Sequence, residues 1–277
     1  MSNGKVRGKL WLSATSLLAL QMLLVVTGGL VRVTGSGLGC PTWPKCTKDS
    51  YVPDQSQSQI HVWIEFGNRM LTFALFAAAF STLYFAWKRK DLRLLAALQV
   101  LGILGQGILG GITVLTKLNP IPVAGHLLLS MVLIAAATNL QFKVLDYREI
   151  SDSVIGKTLA TFAFLTLIAG TVVTGSGPHA GDWQAPRFDF NIEIAARIYS
   201  ALVATTLLIA IYIAVKLPRK SSNWLLVAIL GQALIGLIQW WLGLPQALVG
   251  LHLLGASLFW FAAWRTRLSF RYQRSTL

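Results

Sequence analysis

Apolar residues gather into eight segments of membrane-spanning length, at about 11–31, 60–87, 94–116, 123–142, 158–175, 191–215, 223–243 and 247–264. Each predicts a transmembrane helix, because lipid offers backbone N–H and C=O groups no partner and a helix satisfies them within the segment. Lys5, Arg7 and Lys9 precede the first run and no small-residue cleavage site follows it, so it is expected to remain as the first spanning helix. The connections alternate in charge. Seventeen of the 24 Lys and Arg residues lie in the N-terminus, 88–93, 143–157, 216–220 and the C-terminal tail. The intervening loops hold only Arg32, Lys45, Lys48, Lys117 and Arg187, while Arg69 and Arg197 fall inside helices. By the positive-inside rule both termini are expected to be cytoplasmic.

The pattern of segments is duplicated. LVRVTGSG (Leu30–Gly37) ends the first helix, and GTVVTGSG (Gly170–Gly177) ends the fifth. WIEFGNR in the second helix aligns with NIEIAAR in the sixth, setting Glu65 against Glu193 and Arg69 against Arg197. Gly105, Gln106 and Gly110 match Gly231, Gln232 and Gly236, and the same offset of 126 carries His126 onto His252 without a gap. Four helices per unit leave both copies in one membrane orientation, so the expected architecture is an all-α integral membrane protein of two tandem four-helix bundles, a parallel repeat. The unit boundaries are placed at 1–150 and 151–277.

Composition agrees with this reading. The chain is 55% hydrophobic and 12% charged, against about 25% charged in a soluble domain. Its excess of basic residues follows the cytoplasmic loops, which accounts for it without nucleic acid. The two long outer loops are 32–59 and 176–190. The first contains CPTWPKC, and two cysteines six positions apart on an oxidising face favour a Cys40–Cys46 disulfide, either a structural staple or a redox-active dithiol.

Polar residues within the apolar runs carry the candidate chemistry. IHVWIEFGNR (Ile60–Arg69) places His61, Glu65 and Asn68 on one helical face with Arg69 beside it. Intramembrane charge costs roughly 2.5–3.5 kcal/mol at a helix centre, so the cluster calls for partners or a function. His61, His126 and His252 all fall near the outer starts of even-numbered helices, with Glu65 and Glu193 about a turn deeper. Facing histidines on neighbouring helices of a bundle are a way to hold haem iron. The glycine-rich GQGILGG (Gly105–Gly111) admits close packing or a flat macrocycle. Blander readings stand beside these. Glu65 and Glu193 fit simple ion pairs with Arg69 and Arg197; His179, in GPHAGD, fits a solvated loop residue; and Trp63, Trp224 and Trp264 fit an interfacial aromatic belt. No H-E-x-x-H zinc motif, P-loop, dinucleotide fingerprint or Ser/His/Asp arrangement occurs, and Gly35–Gly39 lacks the strand–helix context of a phosphate loop.

GGLVRVTGSGLGCPTWPKC, IEFGNR, GQGILGG, GPHAGD and the paired GQ…H segments together resemble haem A synthase, the cytochrome oxidase assembly protein family, along nearly the whole chain; IHVWIEFGNR is similar to an actinobacterial branch. The resemblance implies an eight-helix membrane haemoprotein that oxidises a methyl group of haem O to a formyl group through two hydroxylations and loss of water, with O2 or water as the co-substrate. It implies haem b in one half for electron transfer and haem O in the other, with haem O synthase and oxidase assembly factors as partners. Glu65 matches the family's essential carboxylate, His126 and His252 its ligands on the fourth and eighth helices, and Cys40 and Cys46 its outer disulfide. Three residues after the glutamate, the family's usual histidine is replaced by Asn68. His61, two turns or about 10 Å away, is the candidate replacement. The sixth helix has no histidine, only Glu193, Ala196, Arg197 and Tyr199, and the second-half cysteine pair of some relatives is missing.

The expected function is therefore haem A synthesis at a site near the outer face of the plasma membrane. His61, His126 and His252 are the expected iron ligands, Glu65 the proton-handling group, and Asn68, Arg69 and Arg197 the residues beside the macrocycle. A two-haem, quinol-oxidising electron carrier of cytochrome b type is the alternative, and its need for two axial ligands per iron conflicts with the single histidine of the second bundle. A transporter built on the parallel repeat ranks last, because the polar residues lie near one surface instead of at the midplane.

Overall fold

The computed structural model describes residues 2–53, 60–145, 147–150 and 153–274; positions 54–59 of the first outer loop and 275–277 of the tail lie outside it. Eight long helices are present: α1 (Ser2–Val33), α2 (Ile60–Ala86), α3 (Lys90–Leu115), α4 (Pro120–Val144), α5 (Val154–Ser176), α6 (Ile192–Lys216), α7 (Lys220–Trp241) and α8 (Gln246–Arg271). All eight contain a stretch long and apolar enough to cross a membrane, so the chain is a multi-pass membrane protein. Outward-facing side chains such as Phe73, Phe80, Leu94, Leu101, Leu208 and Leu234 are exposed, as expected where lipid replaces water around the bundle.

Helix starts follow local chemistry. Asn119 caps α4, its Oδ1 accepting from the Ile121 N–H at 3.0 Å ahead of Pro120, and Asn191 caps α6 by accepting from the Glu193 and Ile194 N–H groups. The α3–α4 and α7–α8 connections are the same tight turn. Lys117 and Leu118 have φ of 52° and 60°, Gly243 and Leu244 have φ of 73° and 63°, and the N–H groups of Leu118 and Leu244 each donate at 2.7 Å to the carbonyls of Thr113 and Gln239.

Helices α1–α4 pack around one another, and α5–α8 repeat that arrangement of neighbours. α1, α4, α5 and α8 meet in the middle, leaving α2, α3, α6 and α7 on the outside. The central core includes Leu18, Met131, Ile134, Leu159, Ile229 and Trp260, and a second core under α2 and α3 includes Leu17, Leu75, Leu92, Ile103 and Leu140. Some polar groups inside are paired. Gln21 Nε2 donates to Gln99 Oε1 at 2.5 Å, Gln99 Nε2 donates to the Leu133 carbonyl, and Thr166 and Thr206 are joined across α5 and α6. Trp260 Nε1 on α8 donates to the Met131 carbonyl of α4 at 2.6 Å, stitching the two groups of helices together.

Two features depart from the sequence-based expectation. α8 extends seven residues past the predicted 264, because Arg265 and Arg267 lay their guanidinium groups over Phe142, Phe261 and Trp264; hydropathy stops at a charge that the side chain carries sideways onto an aromatic face. Beyond α4 and α8, β1 (Tyr147–Glu149) pairs antiparallel with β2 (Tyr272–Arg274), reinforced by an Arg271–Glu149 ion pair of 2.8 Å. Trp63 and Trp224 are exposed, consistent with a belt, whereas Trp264 turns inward and donates to Asn139 Oδ1 at 3.1 Å. Trp260→Ala is expected to cost about 3–5 kcal/mol, lowering the thermal unfolding midpoint in detergent, and Trp260→Phe is expected to lower it less.

Candidate functional site

The loop after α1 closes one end of the bundle, and its attachment begins at Glu65. Cys40 and Cys46 are joined in a disulfide and both are buried. The Cys40 N–H donates to Glu65 Oε2 at 2.6 Å. Arg69, one turn along α2, donates to Glu65 Oε1 through Nε at 3.1 Å and Nη2 at 2.5 Å. Its remaining N–H groups reach loop carbonyls: Nη2 to Cys40 at 2.9 Å, and Nη1 to Thr42 at 3.2 Å and Lys45 at 3.4 Å. A guanidinium has five N–H donors, and here all five are engaged. Arg69 is thus a clamp for the disulfide loop, with every donor engaged inside the protein. The loop is seated further by Trp43, whose ring covers Gly111 of α3; a Cβ there would lie 2.6 Å from Trp43 Cδ2.

The rest of IHVWIEFGNR does not act as one face. His61 is exposed and its Nδ1 lies 3.0 Å from Ser36 Oγ. Asn68 Oδ1 accepts from Thr27 Oγ1 of α1 at 2.7 Å. Among the described residues no hydrogen bond or ring contact brings His61 to His126. The physical reason is the company each keeps: His61, at the start of α2, is turned to Ser36 of the loop after α1, whereas His126 packs on Gly110 of α3.

His126 and His252 occupy matching environments. His126 lies against Gly110, where a Cβ would sit 3.3 Å from its Cε1, and His252 lies at the same 3.3 Å against Gly236. Gln106 Nε2 donates to the His126 carbonyl at 3.0 Å, and Gln232 Nε2 to the His252 carbonyl at 3.1 Å. Both imidazole Nδ1 atoms are buried without a hydrogen-bond partner, as are Oε1 of Gln106 and Gln232. Buried polar atoms are rarely left so, and their recurrence at matching positions points to a ligand or bound water.

The surroundings then diverge. In the first group of helices Gln106 Nε2 also donates to Ser130 Oγ at 2.7 Å, and the counterpart of Ser130 is Ala256. In the second, Tyr199 of α6 places its hydroxyl 3.2 Å from His252 Nε2, whereas the aligned position of α2 is Leu71. A cavity of about 20 Å³ beside this pair is lined by Thr166, Tyr199, Thr206, Gln232 and Phe259, among others. Glu193 and Arg197 are both exposed, and among the described residues no ion pair joins them, so the duplicated motif gives an ion pair in α2 alone. His179 is not simply solvated: its Nε2 lies 2.7 Å from the Leu244 carbonyl, and its own carbonyl accepts from Arg32 Nε at 2.7 Å. Arg32 Nη2 also donates to the Thr174 carbonyl at 2.9 Å, so a single arginine ties the end of α1 to the end of α5. Sequence reasoning missed this tie, although the repeat contained a signal for it: Arg32 stands where the second copy has Val172.

Residues 9–182 match the family described as cytochrome oxidase assembly protein. Among individual relatives, the chain is similar to a haem A synthase of Shewanella oneidensis, 28% identical over 87% of this chain and 90% of the relative. It is also similar to those of Lysinibacillus sphaericus, 29% identical over 58% of each chain, and Geobacillus thermodenitrificans, 32% identical over 35% of this chain and 31% of the relative.

Arg69→Ala strands the buried Glu65 carboxylate and three loop carbonyls together, a loss of about 3–5 kcal/mol. Glu65→Ala leaves Arg69 its carbonyl partners and is expected to cost less. Thermal unfolding midpoints in detergent should therefore fall in the order wild type, Glu65→Ala, Arg69→Ala. Arg69→Lys should not restore stability, because an ammonium lacks the fork that meets four acceptors at once.

Proposed function

The chain belongs to the cytochrome oxidase assembly protein family, and from that membership we propose that it is a haem A synthase, a membrane oxidoreductase that converts a methyl group of haem O into the formyl group of haem A. The observation that carries the site assignment is the duplicated set of a buried histidine, its Nδ1 unpartnered, packed on glycine and backed by glutamine. Imidazole is a common haem ligand, and a flat glycine surface beside it suits a macrocycle, so these residues fit the group.

In this reading residues 1–150 form the unit that takes the substrate. His126 holds the haem O iron, and Gln106 and Ser130 fix the backbone from which it projects. Glu65, on α2, is the proton-handling group in this reading. A carboxylate has about four lone-pair sites, and Arg69 and the Cys40 N–H use three. The Gly39 N–H also reaches this carboxylate, and in this reading Glu65 takes up a proton by exchanging one of these partners as the methyl group is oxidised. The disulfide loop and Trp43 cover this end of the bundle and limit access of bulk water. In the second unit Arg197, exposed and joined to no acidic residue among the described residues, is available for a carboxylate of a bound macrocycle. Asn68, held by Thr27, sets the α1–α2 contact, and His61 belongs to the loop attachment at Ser36.

Residues 151–277 form the second unit, in which His252 holds haem b. Bound haem supplies the redox chemistry, and the protein supplies placement and proton handling. The alternation of charge between the helices supports cytoplasmic termini and a disulfide loop, with the sites beneath it, toward the outer face of the plasma membrane.

Supplying haem O to membranes containing the protein and extracting the pigments tests this reading. Wild type is expected to yield haem A. His126→Ala is expected to abolish it, and Glu65→Gln to lower the rate by about 10²-fold or more, the scale of one acid–base group. Undiminished conversion by Glu65→Gln removes that residue from the chemistry, and wild-type protein with no Soret absorption after haem-replete expression removes the function.

A further inference from the structure

We propose that the cleft at the end of the bundle away from the disulfide loop holds the phosphate of an anionic phospholipid, with Lys143 as its main contact. This site is independent of the haem reading, since none of its residues belongs to the two buried histidine sets.

The cleft lies where the start of α3, the end of α4 and the β1–β2 ribbon come together. Its volume is about 300 Å³, and Arg89, Asp91, Lys143, Tyr147, Glu149 and Tyr272 line it. Sites for small ligands begin at about that size, roughly 300–1,000 Å³. The lining mixes signs, but its charges are unequally answered. Arg89 takes both oxygens of Asp91, through Nε to Oδ1 and Nη2 to Oδ2, each at 3.1 Å. Glu149 is held by Arg271, through Nε at 2.9 Å and Nη2 at 2.8 Å. With those pairs closed, Lys143 is the cation left over. It stands near enough to Asp91 to act on it electrostatically, yet no hydrogen bond or ion pair joins it to any described residue. The Tyr147 hydroxyl is likewise without a hydrogen-bond partner among the described residues, while its ring packs on Phe142 with centroids 5.1 Å apart. An ammonium with three N–H donors and a phenolic O–H suit phosphate oxygens, and the one surplus positive charge selects an anion.

Position favours a lipid over a soluble phosphate. Asp91 and Lys143 lie at the ends of the spanning segments Lys90–Leu115 and Pro120–Val144, so the cleft sits at the membrane edge. Basic pockets between spanning helices at such an edge are a recurring form of anionic headgroup site. From Asp91 the exposed side chains Leu94, Leu98 and Leu101 run along α3 at spacings of three, four and three residues, which keeps them on one helical face. That stripe gives acyl chains a surface to lie on while the headgroup occupies the cleft. Trp87, exposed at the same end with Arg93 over its ring at 5.6 Å, has the placing of an interfacial aromatic anchor. Both units meet here: α3 and α4 belong to the first, while Tyr272 and the Arg271 partner of Glu149 follow from α8 of the second. A phosphate in the cleft therefore reinforces the join that β1 and β2 make.

The test uses the full-length protein, purified in neutral detergent and freed of lipid, to which dioleoyl phosphatidylglycerol, dioleoyl phosphatidylcholine or sodium phosphate is added. Thermal unfolding midpoints and native mass spectrometry read the binding. Phosphatidylglycerol is expected to raise the midpoint and to be retained in the mass spectrum. At equal concentration phosphatidylcholine is expected to raise it less, and inorganic phosphate not at all. Lys143→Gln is expected to weaken phosphatidylglycerol binding about fivefold, the weight of one lysine at an anionic surface. Lys88→Gln removes the same charge from an exposed lysine outside the cleft and is expected to leave the affinity unchanged. Tyr147→Phe keeps the ring on Phe142, loses the hydroxyl and is expected to bind phosphatidylglycerol more weakly; it decides the matter if the Lys143 variant does not fold. Equal stabilisation by phosphatidylcholine or by inorganic phosphate overturns the inference. Equal losses in Lys143→Gln and Lys88→Gln overturn it too, as diffuse charge attraction then accounts for the binding, and so does unchanged affinity in Tyr147→Phe.

Discussion

A polar group inside a lipid-embedded bundle has no water to fall back on, and this constraint decides where each polar side chain of the protein points. Arg69 shows its force most fully. Its five donors reach one carboxylate and three loop carbonyls, and Glu65 in turn accepts from the Cys40 backbone. One ion pair at the head of α2 thereby fixes the disulfide loop over the first group of helices. The loop then seats Trp43 on α3 and brings Ser36 to His61. Arg32 repeats the strategy without an acid, using backbone carbonyls of the α5 end and the following loop. Deeper in the bundle, Gln21 Nε2, both ends of the Gln99 amide and Trp260 Nε1 meet neutral partners.

Several buried atoms miss the requirement singly, Gln21 Oε1, Ser176 Oγ and Thr266 Oγ1 among them; chemistry is the natural explanation where the gap recurs. The unpartnered imidazole nitrogens of His126 and His252, and the glutamine oxygens near them, recur at matching positions. Accidents of packing seldom repeat across a duplication. The duplication is nevertheless unequal. One copy retains the carboxylate clamp and adds Ser130, while the other sets Tyr199 against its histidine and leaves Glu193 and Arg197 exposed. In the proposed reading two bundles of one design treat similar macrocycles differently, because the groups around an iron and not the helices set its reactivity.

The hydrophobic pattern alone determined the eight helices, and the alternation of charge between them determined the expected orientation, since both depend on summed transfer energies along the chain. The spacing of Gln106, Gly110 and His126 against Gln232, Gly236 and His252 was equally readable as a repeat, and the matching turns at Leu118 and Leu244 accord with it. Tertiary structure alone decided which polar residues share a site. Helical periodicity put His61, Glu65 and Asn68 on one face, yet they are held by Ser36, the Cys40 backbone and Thr27, groups remote in sequence. It also decided that Arg69 is saturated, that Arg197 is not, that α8 continues past its charges, and that two short strands join 147–149 to 272–274. The reason is common to all of these. Burial in lipid is a property of a segment and can be summed from its residues, whereas a hydrogen-bond partner is a property of two segments and exists only once the helices have packed.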